Sequence, residues 1–444
     1  MLRFRYAIAV LLLIGCCLLH AQESSSAEAA EVAALAQQVK ALQQETQELR
    51  ERIKALEANQ TSTVPAAPVS DSQKTQGPPV PAEPVSEQLP PRFDEPRGIQ
   101  WKGFGEADYK VLNQRLPELG SYGFVPGSSG NFYSGDFDLF LHAQMNSKSS
   151  VLADLAFEET DAQKYKLDPR QVLLKYDLND HLRMSFGRFQ TSIGYYNWAF
   201  RSAAWLQTTA DRPLVMEYAS NGGILPTQGI GVSTTGSIPS GAIGLHYIAE
   251  YGSSDTMRPD LNGDGIINDE NNGNFFNLGL YIGPDAIPGL RIGGSFYHDQ
   301  ISDLLILTDP SVPPPASTLS PSTRFNQSIV NAHVVYISRG VEFLNEGFLI
   351  RHSVVGGSVV FDTAAFYSQI SKKFGRIRPF MRYQYVNASD RNPIFDDVGL
   401  RAGPSFGAAY DFNSYITFKA QLDHTQRSGL SDLNGLHLQA AFVF

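Results

Sequence analysis

From Gly98 to Phe444, apolar and polar residues alternate one by one along most of the chain. In the last segment, Leu436 and Leu438 share one parity while His437 and Gln439 take the other. Successive side chains of a β-strand point to opposite faces, so each such segment predicts a strand with one apolar and one polar face. We count about sixteen segments of this kind. The clearest of the others are 137–145, 172–176, 182–186 and 416–423.

The connections between these segments also follow a pattern. Short connections alternate with mostly longer polar loops, and this is typical of a membrane barrel with short periplasmic turns. The short ones are 178–180, 238–240, 285–287, 338–339, 373–375 and 411–413; the long ones include 112–131, 190–225, 252–273, 301–326 and 387–397. We therefore predict an all-β transmembrane antiparallel β-barrel of about 16 strands. The period alone leaves a soluble sandwich or a β-solenoid open.

Composition excludes several other classes of protein. The mean hydropathy is −0.19. After the first residues no apolar run reaches the roughly 20 residues of a membrane helix, which excludes a helical multi-span protein. A net charge of −10 argues against nucleic acid as a partner. Both cysteines, Cys16 and Cys17, lie in the N-terminal apolar segment, so the rest of the chain has no disulfide or thiolate metal site.

The N-terminal segment has the pattern of an export signal. Arg3 and Arg5 precede an apolar run over 7–19, and Ala21 ends a plausible cleavage site, so residues 1–21 are predicted to be a signal peptide. The alternative is a lipoprotein box ending at Cys16, which would leave that cysteine lipidated. Export follows from either interpretation.

Two segments of different composition separate the signal from the predicted barrel. Residues 22–60 carry a heptad seam and predict a coiled coil in the periplasm. The seam residues are Val32, Leu35, Val39, Leu42, Thr46, Leu49, Ile53 and Leu56. A lone amphipathic helix is the alternative. Residues 61–97 contain nine prolines and predict a semi-rigid linker. The barrel domain is then 98–444.

The loop 190–225 is far more aromatic than an exposed loop, and its residues 195–207 lack Gly and Pro. We predict that it folds into the lumen and narrows it, with a short helix. Packing as a lid against a neighbouring subunit is the alternative. Arg188, Arg201 and Arg212 lie in or beside this loop and are candidates for the constriction.

A second basic set lies on the strand that begins near Arg376. If Ile377, Met381 and Tyr383 face lipid, Arg376, Arg378, Arg382 and Gln384 face the lumen. Arg401 and Lys419 have lumen parity on the following strands. A cationic stripe favours anions. The alternative is that these residues pair with Asp108, Asp138, Asp362 or Asp423, and residues 98–444 hold 26 Lys and Arg against 33 Asp and Glu.

One predicted outer loop resembles a calcium-binding loop. Oxygen donors stand at the required spacing, with Gly265 at the tight turn and the carbonyl of Ile266 at the seventh position. The candidate ligands are Asp260, Asn262, Asp264, Ile266, Asn268 and Asn271. The twelfth position is Asn271 rather than an acid. An Asn/Gly/Asp-rich turn without calcium is the alternative, and we predict no required cofactor.

No catalytic constellation stands out, so we predict that the protein is not an enzyme. Residues 403–407 fit the G-x-S-x-G pattern of serine hydrolases. That chemistry needs a strand-to-helix turn at the serine, and no helical pattern follows. Ser405 is therefore predicted to be an ordinary strand residue.

The stretch 187–194, G-R-F-Q-T-S-I-G, resembles the G-R-F-K-T-P-F-G motif of the phosphate-selective porin O and P family. Gly229–Val232 and the terminal Phe444 also fit that family over about 98–444. The resemblance implies a usually trimeric, sixteen-stranded outer-membrane channel. Its inward loop would filter anions such as phosphate through Arg188, Arg201 and Arg212. Gln190 and Ser192 depart from the motif.

We therefore predict an outer-membrane porin for the passive diffusion of small solutes, including anions such as phosphate. The expected partners are outer-membrane lipid, the solute and further copies of the chain. The alternative is structural: the coiled coil and linker would tether the outer membrane to the cell wall, with the barrel as the anchor.

Overall fold

The structure is a computed structural model. It describes residues 99–114, 129–159, 165–200, 204–217, 223–254, 274–309, 316–395 and 398–444. The predicted signal peptide, coiled coil and linker, the candidate calcium loop 260–271 and Arg201 lie outside these ranges and stay predictions.

Sixteen antiparallel strands form one closed barrel. The strands are β1 Ile99–Leu112, β2 Ser129–Gln144, β3 Ser149–Glu159, β4 Tyr165–Asn179, β5 Leu182–Gln190, β6 Gln228–Ile238, β7 Leu245–Ser254, β8 Phe275–Ile282, β9 Leu290–Asp309, β10 Ala316–Ser338, β11 Val341–Val354, β12 Val360–Lys372, β13 Ile377–Asn387, β14 Leu400–Asp411, β15 Ile416–Arg427 and β16 Leu433–Val443. Each strand pairs with the next, and β1 pairs with β16 in a register that aligns Lys110 with His437. The predicted fold class and strand number are confirmed.

The two faces of the wall follow the predicted parity. On β13, Ile377, Met381 and Tyr383 are exposed on the outer face, whereas Arg382 is buried on the inner face. Arg376 departs from the prediction, because the strand begins one residue later and Arg376 lies exposed in the preceding turn. Ser405 lies within β14 and is buried, as expected for a strand residue.

The alternation of connections is also confirmed, with one correction. Residues 301–326 were expected to form a loop, but β9 continues to Asp309 and β10 begins at Ala316. The run 304–307 is Leu-Leu-Ile-Leu, which suits a strand, and the ladder with β10 extends through it. Proline lacks a backbone donor, and a register shift falls at Pro321.

Glycine and aromatic residues fit together where the barrel closes. Gly103 and Phe444 exchange backbone hydrogen bonds of 2.8 and 3.0 Å. A Cβ on Gly103 would lie 2.1 Å from the Phe444 ring, and one on Gly105 would lie 2.5 Å from the Phe442 ring. The two glycines of β1 therefore leave a groove for the two rings of the last strand segment.

The described residues of the connection between β5 and β6 lie inside the barrel, as predicted. Its residues Tyr195, Tyr196 and Met216 are buried in one cluster with wall residues such as Tyr297 and Phe348. A single helical turn, α1 (Tyr196–Phe200), is followed by two 3-10 turns at Ala204–Leu206 and Leu214–Met216. The described residues of 195–207 thus form one short helix and one 3-10 turn. No helix in the described ranges has the length and apolarity to span a membrane.

Candidate functional site

The inward loop has two described stretches with different contacts to the wall. We call residues 191–200 the aromatic half and residues 204–217 the polar half. The aromatic half contacts β7, β9, β10, β11 and β12. The polar half contacts β11, β13, β15, β16 and β1. The loop therefore crosses the lumen and meets the wall on several strands.

Wall carboxylates hold the backbone of the aromatic half. The two oxygens of Glu346 on β11 accept from the amides of Tyr195 (2.5 Å) and Tyr196 (2.8 Å). Glu346 also accepts from the Tyr367 hydroxyl at 2.6 Å. Glu346 is only 2% exposed, so these donors take the place of water around its carboxylate. This stretch is thus fixed by charge-assisted hydrogen bonds.

A second carboxylate, Glu250 on β7, holds the beginning of the same half. It accepts from the Ser192 amide at 3.0 Å and from the Ser192 hydroxyl at 2.8 Å. The Asn277 amide of β8 donates to it at 2.8 Å. The loop is therefore bound to the wall directly after it leaves β5.

Aromatic packing completes this half. The Tyr195 ring lies 5.4 Å from Trp198, edge to face, and the Tyr196 ring lies 5.9 Å from Tyr367. The Arg291 guanidinium of β9 lies 4.3 Å from the Trp198 ring, a cation–π distance. Burial raises the pKa of the Tyr195 and Tyr196 hydroxyls, so both stay neutral.

Cationic side chains of the wall hold the polar half. The Lys419 ammonium of β15 donates to the carbonyls of Ala204 (2.6 Å) and Thr209 (2.9 Å). Arg382 of β13 donates to the Thr209 hydroxyl at 3.2 Å and to the Asp211 carbonyl at 2.9 Å. Lys419 and Arg382 are 3% and 1% exposed. Their charges are thus largely used in fixing the loop.

Arg378 lies beside the same stretch and is more exposed than Lys419 and Arg382. It donates to the Thr208 hydroxyl at 3.1 Å, and its guanidinium lies 3.7 Å from the Glu342 carboxylate of β11. Its side chain keeps 30% exposure. Arg378, Arg382 and Lys419, predicted for the lumen, therefore lie together along the polar half.

The carboxylate of Asp211 contacts basic side chains of the wall. It lies 3.5 Å from the Lys110 ammonium and 3.0 Å from Nδ1 of His437. The other His437 nitrogen lies 2.7 Å from Asp108. Burial alone would raise the pKa of Asp211, but Lys110, His437 and Arg382 hold it well below its usual range. Asp211 is therefore ionised in the folded protein.

Arg212 joins the two halves of the loop. Its Nε donates to the Met216 carbonyl at 2.9 Å, and a terminal nitrogen donates to the Asn197 side chain at 2.9 Å. Its guanidinium also lies 5.8 Å from the centre of the Tyr196 ring. Arg212 is 7% exposed, so these contacts bind the loop to itself.

Arg188 and Arg401 make their described contacts elsewhere. Arg188 aligns with Val172 and Ile230, which are exposed on the outer face, and its side chain contacts Gln228 at 2.9 Å and Asp168 at 3.4 Å. Arg401 donates to the Val398 carbonyl at 3.0 Å. None of these contacts joins either residue to the polar half.

Sequence reasoning missed the acids that hold the loop. Glu342 and Glu346 share the inner face of β11 with Leu344, Phe348 and Ile350. The outer face of that strand is also largely apolar, so its alternation is weak. The signal that could have found them is two carboxylates at equal parity within a predicted membrane strand, where an outward charge is costly.

Comparison with solved structures shows a fold similar to that of known outer-membrane proteins. OmpT of Vibrio cholerae is 12% identical, with a TM-score of 0.51, over 78% of this chain and 97% of that chain. A trimer form of the same protein is 12% identical, with a TM-score of 0.50, over 78% of this chain and 99% of that chain. An anion-selective porin from Comamonas acidovorans is 8% identical, with a TM-score of 0.50, over 78% of this chain and 99% of that chain. No family model and no curated protein match the chain. The closed barrel is therefore similar in fold to these outer-membrane proteins.

Proposed function

We propose that this protein is an outer-membrane channel for the passive diffusion of small solutes. The proposal rests on the difference between the outer and inner faces of the closed wall. Large apolar side chains cover its outer face, for example Leu349 (63% exposed) and Leu422 (58%), while charged groups line its inner face. An exposed apolar surface that extends around a barrel fits contact with lipid. A polar interior within such a wall fits an aqueous path.

Partial exposure of the inner charges supports a water-filled path. The side chains of Lys110, Asp136, Asp211 and Arg378 keep 17%, 29%, 27% and 30% exposure. A barrel of 16 strands is also wider than its own side chains can fill. The inward loop would then narrow the lumen and set what passes.

Anion transport is a separate part of the sequence prediction. It rests on the resemblance and on arginines at the constriction, and the Comamonas neighbour is an anion-selective porin. Arg382 and Lys419, however, donate to loop oxygens and are nearly buried. A trimer is likewise a proposal, supported by the resemblance and by the trimer form of OmpT. The tether to the cell wall stays a prediction.

The proposal is tested by conductance in planar bilayers with a pair of adjacent cysteine variants. Asp423 and Leu422 are neighbours on β15, with Leu422 exposed outside and Asp423 on the inner face. In a background without Cys16 and Cys17, a charged thiol reagent should reduce the conductance of Asp423→Cys and leave that of Leu422→Cys unchanged.

Two results would overturn the channel. One is the absence of stepwise conductance from correctly folded protein. The other is an equal response of both variants to the reagent, which would place the current outside the lumen. Folding is checked by the heat-dependent shift in gel mobility that closed barrels give.

A further inference from the structure

We propose that one part of the barrel's short-turn end binds the headgroups of anionic phospholipids in the inner leaflet of the outer membrane. This inference rests on the proposed function, because it needs the barrel to lie in a bilayer with its short turns on the periplasmic side. The site comprises residues 339–340, 372–376 and 411–415, at the connections β10–β11, β12–β13 and β14–β15. We call it the basic rim.

Main-chain hydrogen bonds join the three turns of the basic rim. The Lys373 amide donates to the Gly340 carbonyl at 2.7 Å. The Asp411 amide donates to the Arg376 carbonyl at 2.8 Å. The turns are therefore held side by side, and their charged side chains belong to one surface.

The basic rim carries more cations than acids. Its charged side chains are Arg339, Lys372, Lys373, Arg376 and Asp411. Asp411 pairs with Lys373 at 2.5 Å. The Lys372 ammonium donates to the Arg339 carbonyl at 2.9 Å, which leaves its charge uncompensated. In the part of the chain that the structure describes, Arg339, Lys372 and Arg376 form no ion pair.

The other four short turns lack this excess of positive charge. Turns 145–148, 180–181, 239–244 and 283–289 hold Lys148, Asp180 and Asp285, together with His181. Residues 98–444 as a whole hold 26 Lys and Arg against 33 Asp and Glu. The positive charge is therefore local, and the net charge of the barrel would by itself repel an anionic surface.

The backbone of Arg339 is an independent sign that its side chain has a role. Two residues join β10 to β11, and both have positive φ, 49° at Arg339 and 73° at Gly340. Among the described residues, Arg339 is the only one other than glycine with a positive φ. Asparagine or glycine fits the first position of such a turn with less strain. The turn therefore keeps a guanidinium at a cost to the backbone.

The basic rim lies where the apolar outer wall ends. Ile370 and Ile377, next to it on β12 and β13, are each 51% exposed. Phe374, Phe412 and Tyr415 lie in its turns and are also exposed. Exposed aromatic side chains mark the headgroup level at the edge of a transmembrane barrel. The cations beside them are therefore at the depth of the lipid phosphates.

A phospholipid with a net negative charge is the ligand that this surface fits. A guanidinium can donate two parallel hydrogen bonds to phosphate oxygens, and an ammonium adds a compact positive charge. Cations next to a bilayer attract anionic lipids. The amine of a zwitterionic headgroup would instead bring a further cation to the same place. Phosphatidylglycerol is thus the test ligand, and phosphatidylcholine is its reference.

The experiment measures the melting temperature of the full chain in vesicles, read from the heat-dependent shift in gel mobility. The vesicles contain phosphatidylcholine alone or an equal mixture with phosphatidylglycerol. Wild-type protein should melt about 4 °C higher in the mixture, because a ligand bound to the folded state stabilises it. The double variant Arg339→Asn/Arg376→Gln should lose most of this difference.

The matched control is Lys148→Gln/Arg183→Gln, which removes two cations near other short turns and should keep the wild-type difference. The folding of the double variant is not in question, because asparagine suits the turn at 339. Its melting temperature in phosphatidylcholine should equal or exceed that of wild type. The wild-type difference should also disappear as KCl rises from about 0.1 M to about 1 M, because salt screens exposed charges.

Equal wild-type melting temperatures in the two kinds of vesicle would overturn this inference, as would an unchanged difference in the double variant. Inorganic phosphate added to phosphatidylcholine vesicles tests a free anion, and a rise equal to that from phosphatidylglycerol would overturn the lipid site. Co-sedimentation with purified peptidoglycan that requires Arg339 and Arg376, without any lipid difference, would assign the basic rim to the cell wall instead.

Failure of this inference is distinct from failure of the proposed function. A protein that conducts in planar bilayers but shows no lipid difference overturns the lipid site alone. A protein that shows the lipid difference but does not conduct overturns the channel alone.

Discussion

The two halves of the inward loop are held by opposite charges. In the aromatic half, backbone amides donate to the buried carboxylates Glu346 and Glu250. In the polar half, backbone carbonyls accept from the buried cations Lys419 and Arg382. Both halves therefore satisfy main-chain groups that would otherwise be unpaired in a barrel interior.

The difference lies in what surrounds those contacts. The aromatic half packs its rings against an apolar wall and leaves Tyr195 and Tyr196 at 2% and 1% exposure. The polar half contains Asp211, whose side chain keeps 27% exposure beside Lys110. The first half thus anchors the loop, whereas the second places charge where water reaches. Substitutions in the first should affect stability, and substitutions in the second should affect selectivity.

The largest expected effect is that of Glu346→Ala. It leaves three buried donors without an acceptor: the amides of Tyr195 and Tyr196 and the hydroxyl of Tyr367. We expect a loss of about 3–5 kcal/mol in the free energy of unfolding, measured by denaturant titration in detergent. The control Asp362→Ala removes an exposed ion pair and should cost at most about 1 kcal/mol. Equal losses of stability in the two variants would contradict the role of Glu346 in anchoring the loop.

Lys419→Met should have a smaller effect on stability and a clear one on selectivity. Methionine keeps much of the volume but leaves the Ala204 and Thr209 carbonyls without their donor. We expect a loss of about 1–3 kcal/mol. The ratio of potassium to chloride permeability should rise, because a cation leaves the inner wall. Lys372→Met is the control, since Lys372 donates to an exposed turn carbonyl, and its selectivity should match wild type.

Asp211→Asn should lower the free energy of unfolding by about 1 kcal/mol, because the backbone contacts of the polar half remain. The ion pairs with Lys110 and His437 are lost, so the loop should fluctuate more. Open-channel current noise should increase, and the ratio of potassium to chloride permeability should fall. Asp180→Asn, in an exposed pair with Arg183, should change neither. A quieter channel would contradict the assigned role of Asp211.

The smallest effect is a pH dependence from Glu217. Burial, with the nearby Asp211 carboxylate, raises the pKa of Glu217 to about 7. A folded-state pKa above the unfolded value means that stability from this group is present at low pH and lost as pH rises through 7. The wild-type melting temperature should therefore rise between about pH 8 and pH 6. Glu217→Gln should lack this component, and an identical pH profile would contradict it.

The sequence by itself determined the barrel and the course of its wall. Alternation on strands such as β13 and β16 assigned the faces, because one-residue parity decides which side chains meet lipid. The aromatic content of 190–225 predicted that this loop lies inside. These features are local, and each follows from residues that are close together in the chain.

Only the tertiary structure decided what the charged residues do. The Lys419 ammonium contacts the Thr209 carbonyl across 210 positions, and Glu346 contacts the Tyr196 amide across 150. Parity alone could not distinguish a cation that lines the water-filled path from one whose hydrogen bonds hold the inward loop. The exposed charge of a lumen depends on which wall groups the loop neutralises, and that is fixed by contacts distant in sequence.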